Sequence, residues 1–181
     1  MSDTSPVIKV TKLDAYIFSN KFWVARIEAK KWAENNIQGK SPINKATGWK
    51  IDITSIGVRK AISGERLTPH FEAIRAIPEL IENAVLTETR PDRNRNPDIK
   101  NIHIFYAPLE VDGNLYRAKL TVRESIYGKK YYDHSLTELE KPTAGRALRR
   151  DDTFTGSASP TEQQAYTISL GDLLKNVKTS D

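Results

Sequence analysis

Residues 101–136 read NIHIFYAPLEVDGNLYRAKLTVRESIYGKKYYDHSL. Two tight turns divide this stretch into three β-rich runs. Asp112-Gly113 is a strong two-residue hairpin signal, because both residue types tolerate the positive φ such turns require. Tyr127-Gly128 turns the chain again, into 129–136. The expected unit is a three-stranded antiparallel meander.

The first turn fixes a register. Val111 stands opposite Asn114, and the pairs follow outward. Phe105 then faces Leu120, Ala107 faces Ala118 and His103 faces Val122. That side is apolar and is expected to pack on helices. The other side brings Tyr106 to Lys119, Ile104 to Thr121 and Ile102 to Arg123, with Arg117 beyond. One apolar face and one basic, hydroxyl-bearing face is the strongest functional cue in the chain. The same parity puts His103 on the core side, where a buried, satisfied histidine is expected; a three-residue loop would reverse this. The second turn leaves open whether Tyr131 with Asp133, or Tyr132 with His134, joins Lys119, Thr121 and Arg123.

Outside the meander the N-terminal half reads as helical. Residues 7–18 mix β-formers with lysines and are expected to form an edge strand. A helix over 21–36, capped by Ser19 or Asn20, has the stripe Phe22, Ala25, Ala29, Trp32 and Ala33. Trp23 and Ile27 widen that stripe, so its tryptophans are expected to pack rather than stack on bases. Arg26, Lys30 and Lys31 take the outer side. Residues 38–48 form a loop, and WKIDIT (49–54) alternates as a short strand. A short helix capped by Ser55 carries Arg59 and Lys60 and stops at Gly64. Thr68-Pro69 starts the next helix, with Phe71, Ile74, Ile77 and Ile81 inward. Pro78 removes an amide donor, which predicts a second short helix over 78–84. His70 sits in the first turn, where the helix dipole favours a neutral imidazole. Residues 87–100 read as a polar loop carrying Arg90, Arg93, Arg95 and Lys100, either an arm for phosphates or a solvated loop.

The segments divide as 1–18, a main domain at 19–140, a linker at 141–164 and a strand-helix segment at 165–181. In the last, Ser169 and Asp172 form a capping box. Its stripe of Leu170, Leu173, Leu174 and Val177 must dock on the domain or on a partner protein. The fold class is α+β: N-terminal helices on one face of a twisted antiparallel sheet of about four strands, plus a short C-terminal helix.

Composition narrows the function. The chain has 181 residues, 38% hydrophobic and 28% charged, enough for one domain with a tail. It has no apolar run long enough for a membrane span. Its first ten residues lack the layout of a secretory signal. The absence of cysteine excludes disulfides, thiolate metal sites and cysteine nucleophiles. That fits the cytoplasm, or delivery into a target cell's cytoplasm. Net charge is +5, yet residues 151–181 hold two basic and five acidic residues, so the body is basic and the tail acidic. A basic body suits a polyanion such as RNA.

Histidines at 70, 103 and 134 lack metal-ligand spacing, and no metal or cofactor is expected. There is no P-loop, GxGxxG, GxSxG or HExxH. Metal-free RNA cleavage needs no such motif. A base takes the 2′-OH proton, that oxygen attacks the phosphate, an acid protonates the leaving oxygen and cations stabilise the charge. In that chemistry His70 serves as base or acid, and Lys60 and Arg123 hold the phosphate. Thr121 positions substrate; Tyr132 and His134 act as acid or stacking partners. Tyr106, Arg117, Lys119, Arg93 and Arg95 contact RNA, with tRNA one structured target.

The order GWKIDITSIGVRKAIS, HFEAIRAIPELIENA, IHIFYAPLEVDGNLYRAKLTVRE, KYYDHSLTELEK resembles the large polyvalent protein-associated domains of phages and conjugative elements. The resemblance covers roughly 47–141. It implies a place in the barnase, EndoU, colicin and RelE-like nuclease superfamily, with helices on one sheet face and an RNA-cleaving site on the other. Catalytic residues vary widely in that superfamily, and some members are inactive modules. Three readings follow: a toxin-like or effector-like endoribonuclease, with an inhibitor or immunity protein as partner; a non-catalytic module binding nucleic acid or protein; and a docking module using the leucine stripe.

Overall fold

The computed structural model describes residues 7–63, 68–133, 139–140 and 167–174. Strands β1 (Val7–Lys9) and β2 (Thr11–Leu13) open the chain, followed by helices α1 (Phe22–Asn36) and α2 (Ser55–Ile62). Helix α3 (Thr68–Ala73) passes through a 3-10 turn (Ile74–Ala76) into α4 (Ile77–Asn83). Strands β3 (Val85–Pro91), β4 (Ile99–Val111), β5 (Asn114–Ser125), β6 (Lys130–Tyr132) and β7 (Leu139–Glu140) complete the domain, and β8 (Thr167–Ser169) leads into α5 (Leu170–Leu174).

β4 and β5 are the spine. Asp112 and Gly113 have φ of 48° and 77°, the turn the sequence predicts. The register is the predicted one throughout, from Val111–Asn114 to Ile102–Arg123. β2 and β3 lie in tandem along the free edge of β4, and β6 and β7 along that of β5. The sheet is therefore four strands wide. It is mixed rather than purely antiparallel, because β2 runs parallel to β4.

The helices cover the face carrying Phe105, Ala107, Ala118, Leu120 and Val122. Phe71, Ile74, Ile77 and Ile81 point into that core, as their spacing predicts. Pro78 occupies the first turn of α4, where its missing N–H costs no helical bond. Helix α1 contributes three alanines, Ala25, Ala29 and Ala33. Small side chains let it approach closely along a narrow stripe. Trp23 and Ile27, expected to widen that stripe, are instead each 69% exposed.

Local contacts fix the remaining pieces. The Thr54 side chain, rather than Ser55, caps α2 by accepting from the Gly57 N–H at 3.1 Å. A Cβ on Gly57 would meet the Tyr132 carbonyl oxygen at 2.4 Å, so α2 lies directly on the β6 backbone. Buried Glu72 accepts from the N–H groups of Ile17 and Phe18 and pairs with Arg75, holding the approach to α1.

Three further expectations are corrected. Residues 87–100 are not one polar loop; β3 extends to Pro91 and β4 begins at Ile99. A bulge at Thr87 broke the alternation that would have revealed β3. WKIDIT is not a ladder strand: only isolated bridges, Ile43–Lys50 and Asp52–Tyr131, tie it down, although Ile51 and Ile53 are buried as its alternation implied. The second sheet face is not open. Ile99, Ile102, Ile104 and Tyr106 pack under Ile8, Val10, Ile168 and Leu173. β1 and β8 pair as a two-stranded ribbon over that face. Leu173 of α5 is buried in this second cluster, with Leu170 and Leu174 partly buried beside it. The Ser169–Asp172 capping box forms as expected, with the Asp172 N–H donating to Ser169 Oγ at 3.1 Å. His134, Gly64, Val177 and the linker at 141–164 lie outside the described residues.

Candidate nucleic-acid interface

The predicted working face is largely spoken for. Tyr106 and Arg117 are both buried, and the Arg117 guanidinium stacks 4.9 Å from the Tyr106 ring centroid. Lys119 and Thr121 are half-buried. The β5–β6 register answers the open question: Arg123 stands beside Tyr131, and Val122 beside Tyr132. Tyr131 thus joins the Arg123 face. Its phenol is pushed above the ordinary value by burial, against a lowering pull from Arg123.

Tyr132 is fully buried among the helices, on the opposite face from Thr121 and Arg123. His70, on half-buried ground in α3, also belongs to the helix side, next to core residue Phe71. The expected convergence of His70 and Tyr132 with Thr121 and Arg123 is therefore corrected. The cause is parity: one residue along a strand reverses the face. Arg93 and Arg95 are exposed on the turn between β3 and β4, where Arg95 takes a φ of 51°.

Two predicted cations do converge. Lys60 reaches from α2 to Asp133 Oδ1 at 2.7 Å, and Arg123 contacts the other carboxylate oxygen. The Asp133 side chain is 5% exposed, and its backbone N–H donates to the Thr121 carbonyl at 2.9 Å. The sequence offered Asp133 with Tyr131 as one of two pairs that could join this face, but assigned the carboxylate no role. Its position one residue past Tyr132, on the Tyr131 parity, was the available signal.

A second polar group lies at the far end of the core face. His103 is buried, as its parity predicts, and both ring nitrogens are bonded. Nδ1 lies 2.8 Å from Thr89 Oγ1, and Nε2 lies 2.8 Å from Glu124 Oε2. The Trp49 ring packs 4.7 Å from the imidazole, and Lys130 Nζ sits 4.6 Å over that indole. Glu124 is held down at about 2, first by the Asn101 amide, then by His103 and Lys130, against the opposing cost of burial.

An accessible combination of aromatic and basic groups lies elsewhere, on the outer side of α1 and α2. Trp23, Arg26, Ile27 and Lys30 line a groove with Arg59 and Ile62. The groove continues over Glu34, Ser55 and Val58. The Arg26 guanidinium lies 5.8 Å from the Trp23 ring centroid. Helical spacing places Trp23, Arg26, Ile27 and Lys30 on one side of α1. This is the strip whose aromatic was expected to be packing.

Fold and surface together define a two-layer α+β module with a sealed sheet and a basic, aromatic helical face. Among the described residues no helix is long and apolar enough to cross a membrane. The family model for large polyvalent protein-associated domain 3 matches residues 24–132, more than half of the chain, and the chain belongs to that family. The match starts within α1 and ends at β6. It thus leaves out β1, β2, β7, β8 and α5, which include the ribbon over the second sheet face. No curated protein and no solved structure matches the chain.

Proposed function

We propose that this domain is a nucleic-acid-binding module of a phage-type or mobile-element polyvalent protein, and that it holds unpaired RNA on the outer face of α1 and α2. One observation carries the reading: Trp23 is 69% exposed and flanked by Arg26, Lys30 and Arg59. An indole this exposed gains little from the core, its one aromatic neighbour there being Phe22, edge-on at 5.1 Å. Against an unpaired base it gains roughly 1–3 kcal/mol of stacking, tolerant of sequence. The three cations supply phosphate contacts, so affinity falls with salt. Arg93 and Arg95 are further exposed cations, at the β3–β4 turn. The test is fluorescence anisotropy of a labelled single-stranded RNA with the wild-type chain, Trp23→Ala and Arg59→Glu. Equal affinity in all three removes the proposal.

A second reading, endoribonuclease action by 2′-OH transesterification within the barnase, EndoU, colicin and RelE-like superfamily, draws support from Lys60 and Arg123. Both aim at one carboxylate-sized position, which a phosphate would fill by displacing Asp133. His134 follows directly in the chain, and Lys119 and Thr121 lie along the same strand. This activity would be toxin-like or effector-like, would suit structured RNA such as tRNA, and would call for an inhibitor partner. Incubating purified protein with total RNA in EDTA decides it: intact RNA at high protein concentration eliminates cleavage, while leaving the binding proposal standing.

A further inference from the structure

We propose that Thr89, His103 and Glu124 form a hydroxyl-activating relay, in which Thr89 is a nucleophile toward activated carboxylic esters. The three residues come from β3, β4 and β5. Two bonds of 2.8 Å join them in line, Oγ1 to Nδ1 and Nε2 to Oε2. Proton bookkeeping fixes the direction. An ionised carboxylate only accepts, so Nε2 must carry the hydrogen given to Glu124. In the neutral ring Nδ1 is then bare and accepts the Thr89 hydroxyl proton. This is the order of groups that activates a hydroxyl nucleophile: hydroxyl, imidazole, orienting carboxylate.

A second, independent feature points the same way. β3 and β4 pair as Leu86–Phe105, then shift at Thr87 to Glu88–Ile104 and Thr89–His103. Without the bulge, Glu88 would stand opposite His103. The bulge exchanges that carboxylate for the Thr89 hydroxyl and sends Glu88 to the other face. Bulges re-aim side chains in this way beside functional sites. The Thr87 hydroxyl fastens the bulge by donating to the Ile104 carbonyl at 3.1 Å. The relay opens to solvent at one end: Thr89 is exposed on its edge strand, whereas His103 is 2% exposed under Trp49. Glu124 is in turn fixed by the Asn101 amide at 3.0 Å and by Lys130 at 3.5 Å.

In the proposed step Thr89 Oγ1 attacks the ester carbonyl carbon while its proton passes to His103 Nδ1. The bond to the leaving oxygen breaks, and that oxygen takes the proton as the alcohol departs. The product is an acyl ester on Thr89. Water, deprotonated by the same nitrogen, then releases the acid and restores the hydroxyl. His103 is the catalytic base and Glu124 a positioning residue. The site is separate from the α1–α2 strip, so its failure and that of RNA binding are distinguishable.

The experiment treats the full chain with p-nitrophenyl acetate, following nitrophenolate release and mapping the adduct by peptide mass spectrometry. The expected result is a burst with acetyl on Thr89. Thr89→Ala, an exposed change, should abolish burst and adduct, and Thr89→Ser should restore both. Glu124→Gln should slow the burst at least tenfold and move its pH profile. Acetyl found only on lysines, or an unchanged burst in Thr89→Ala, overturns the proposal. An unchanged pH profile in Glu124→Gln overturns the role given to that carboxylate. If the Glu124 variant fails to fold, the Thr89 pair still decides the nucleophile.

Discussion

Gly57→Ala tests how the helical layer is seated on the sheet. The substitution lies inside α2, where alanine is favoured over glycine by roughly 1 kcal/mol of helix propensity. On propensity alone the variant gains stability. The structure predicts the reverse sign. The new methyl carbon would lie 2.4 Å from the Tyr132 carbonyl oxygen and 3.3 Å from a carbon of its ring. The first neighbour is backbone in β6, so no side-chain rotation relieves the contact, and α2 must lift. Overpacking of this kind costs about 1–3 kcal/mol, and occasionally more. A 2.4 Å contact with a backbone atom belongs at the upper end of that range, about 2–3 kcal/mol. After the propensity gain of roughly 1 kcal/mol, a net loss of about 1–2 kcal/mol is expected, lowering Tm by roughly 2–8 °C for a domain of this size. Lifting α2 also pulls Lys60 from Asp133. Thermal and urea melts of the two proteins supply the assay. A variant equal to or more stable than the wild type would refute the close seating of α2 on β6.

Other outcomes follow from the same contacts. Glu124 titrates near 2 when folded, against an ordinary 4.5; a depressed pKa stabilises the folded state above the ordinary value. That contribution, about 3 kcal/mol at neutral pH, is lost as pH falls from about 4.5 toward 2. Glu124→Gln should flatten the acid limb of a stability-versus-pH curve, and an unchanged limb would count against the network. Asp133→Asn leaves Lys60 and Arg123 without their anion; a cost of roughly 2 kcal/mol is expected in denaturant melts, less than for a fully buried group because both cations are partly exposed. If phosphate can take that place, the same variant should bind RNA more tightly. Leu173→Asp puts a charge into the second apolar cluster. Faster amide exchange in 167–174, with α1–α4 unchanged, is the expected result, and uniform unfolding would argue against a separately docked segment.

The parts of the fold that the sequence announced are those governed by local rules. Asp112-Gly113 specified the register of β4 and β5, and with it the burial of His103. Pro78 marked the start of α4, and Ser169 with Asp172 marked the start of α5. The parts that escaped depend on partners distant in the chain. β3 was hidden because its polar residues lie on an edge and its bulge interrupts the period of two. The exposure of Trp23 and Ile27 follows from how few alanines α1 presents inward, a property of the helix-sheet spacing rather than of α1 itself. The cover over the second sheet face needed Ile8 and Ile168, some 160 residues apart, to meet. The candidate site suffered most, because a one-residue difference in parity removed Tyr132 from the group and admitted Tyr131 and Asp133. A signal for Glu124 was present: it shares the parity of Leu120 and Val122, an unusual place for a carboxylate, diagonal to His103.

The central claim is that RNA is held on the outer face of α1 and α2. Binding of a labelled single-stranded RNA at stepped salt concentrations, with wild type beside a Trp23→Ala/Arg59→Glu double variant, tests it most directly. The account predicts affinity that falls with salt in the wild type. In the double variant it predicts at least tenfold weaker binding and a shallower salt slope, with the melting temperature unchanged. Wild-type affinity in the double variant, or no binding by the wild type at low salt, would contradict it.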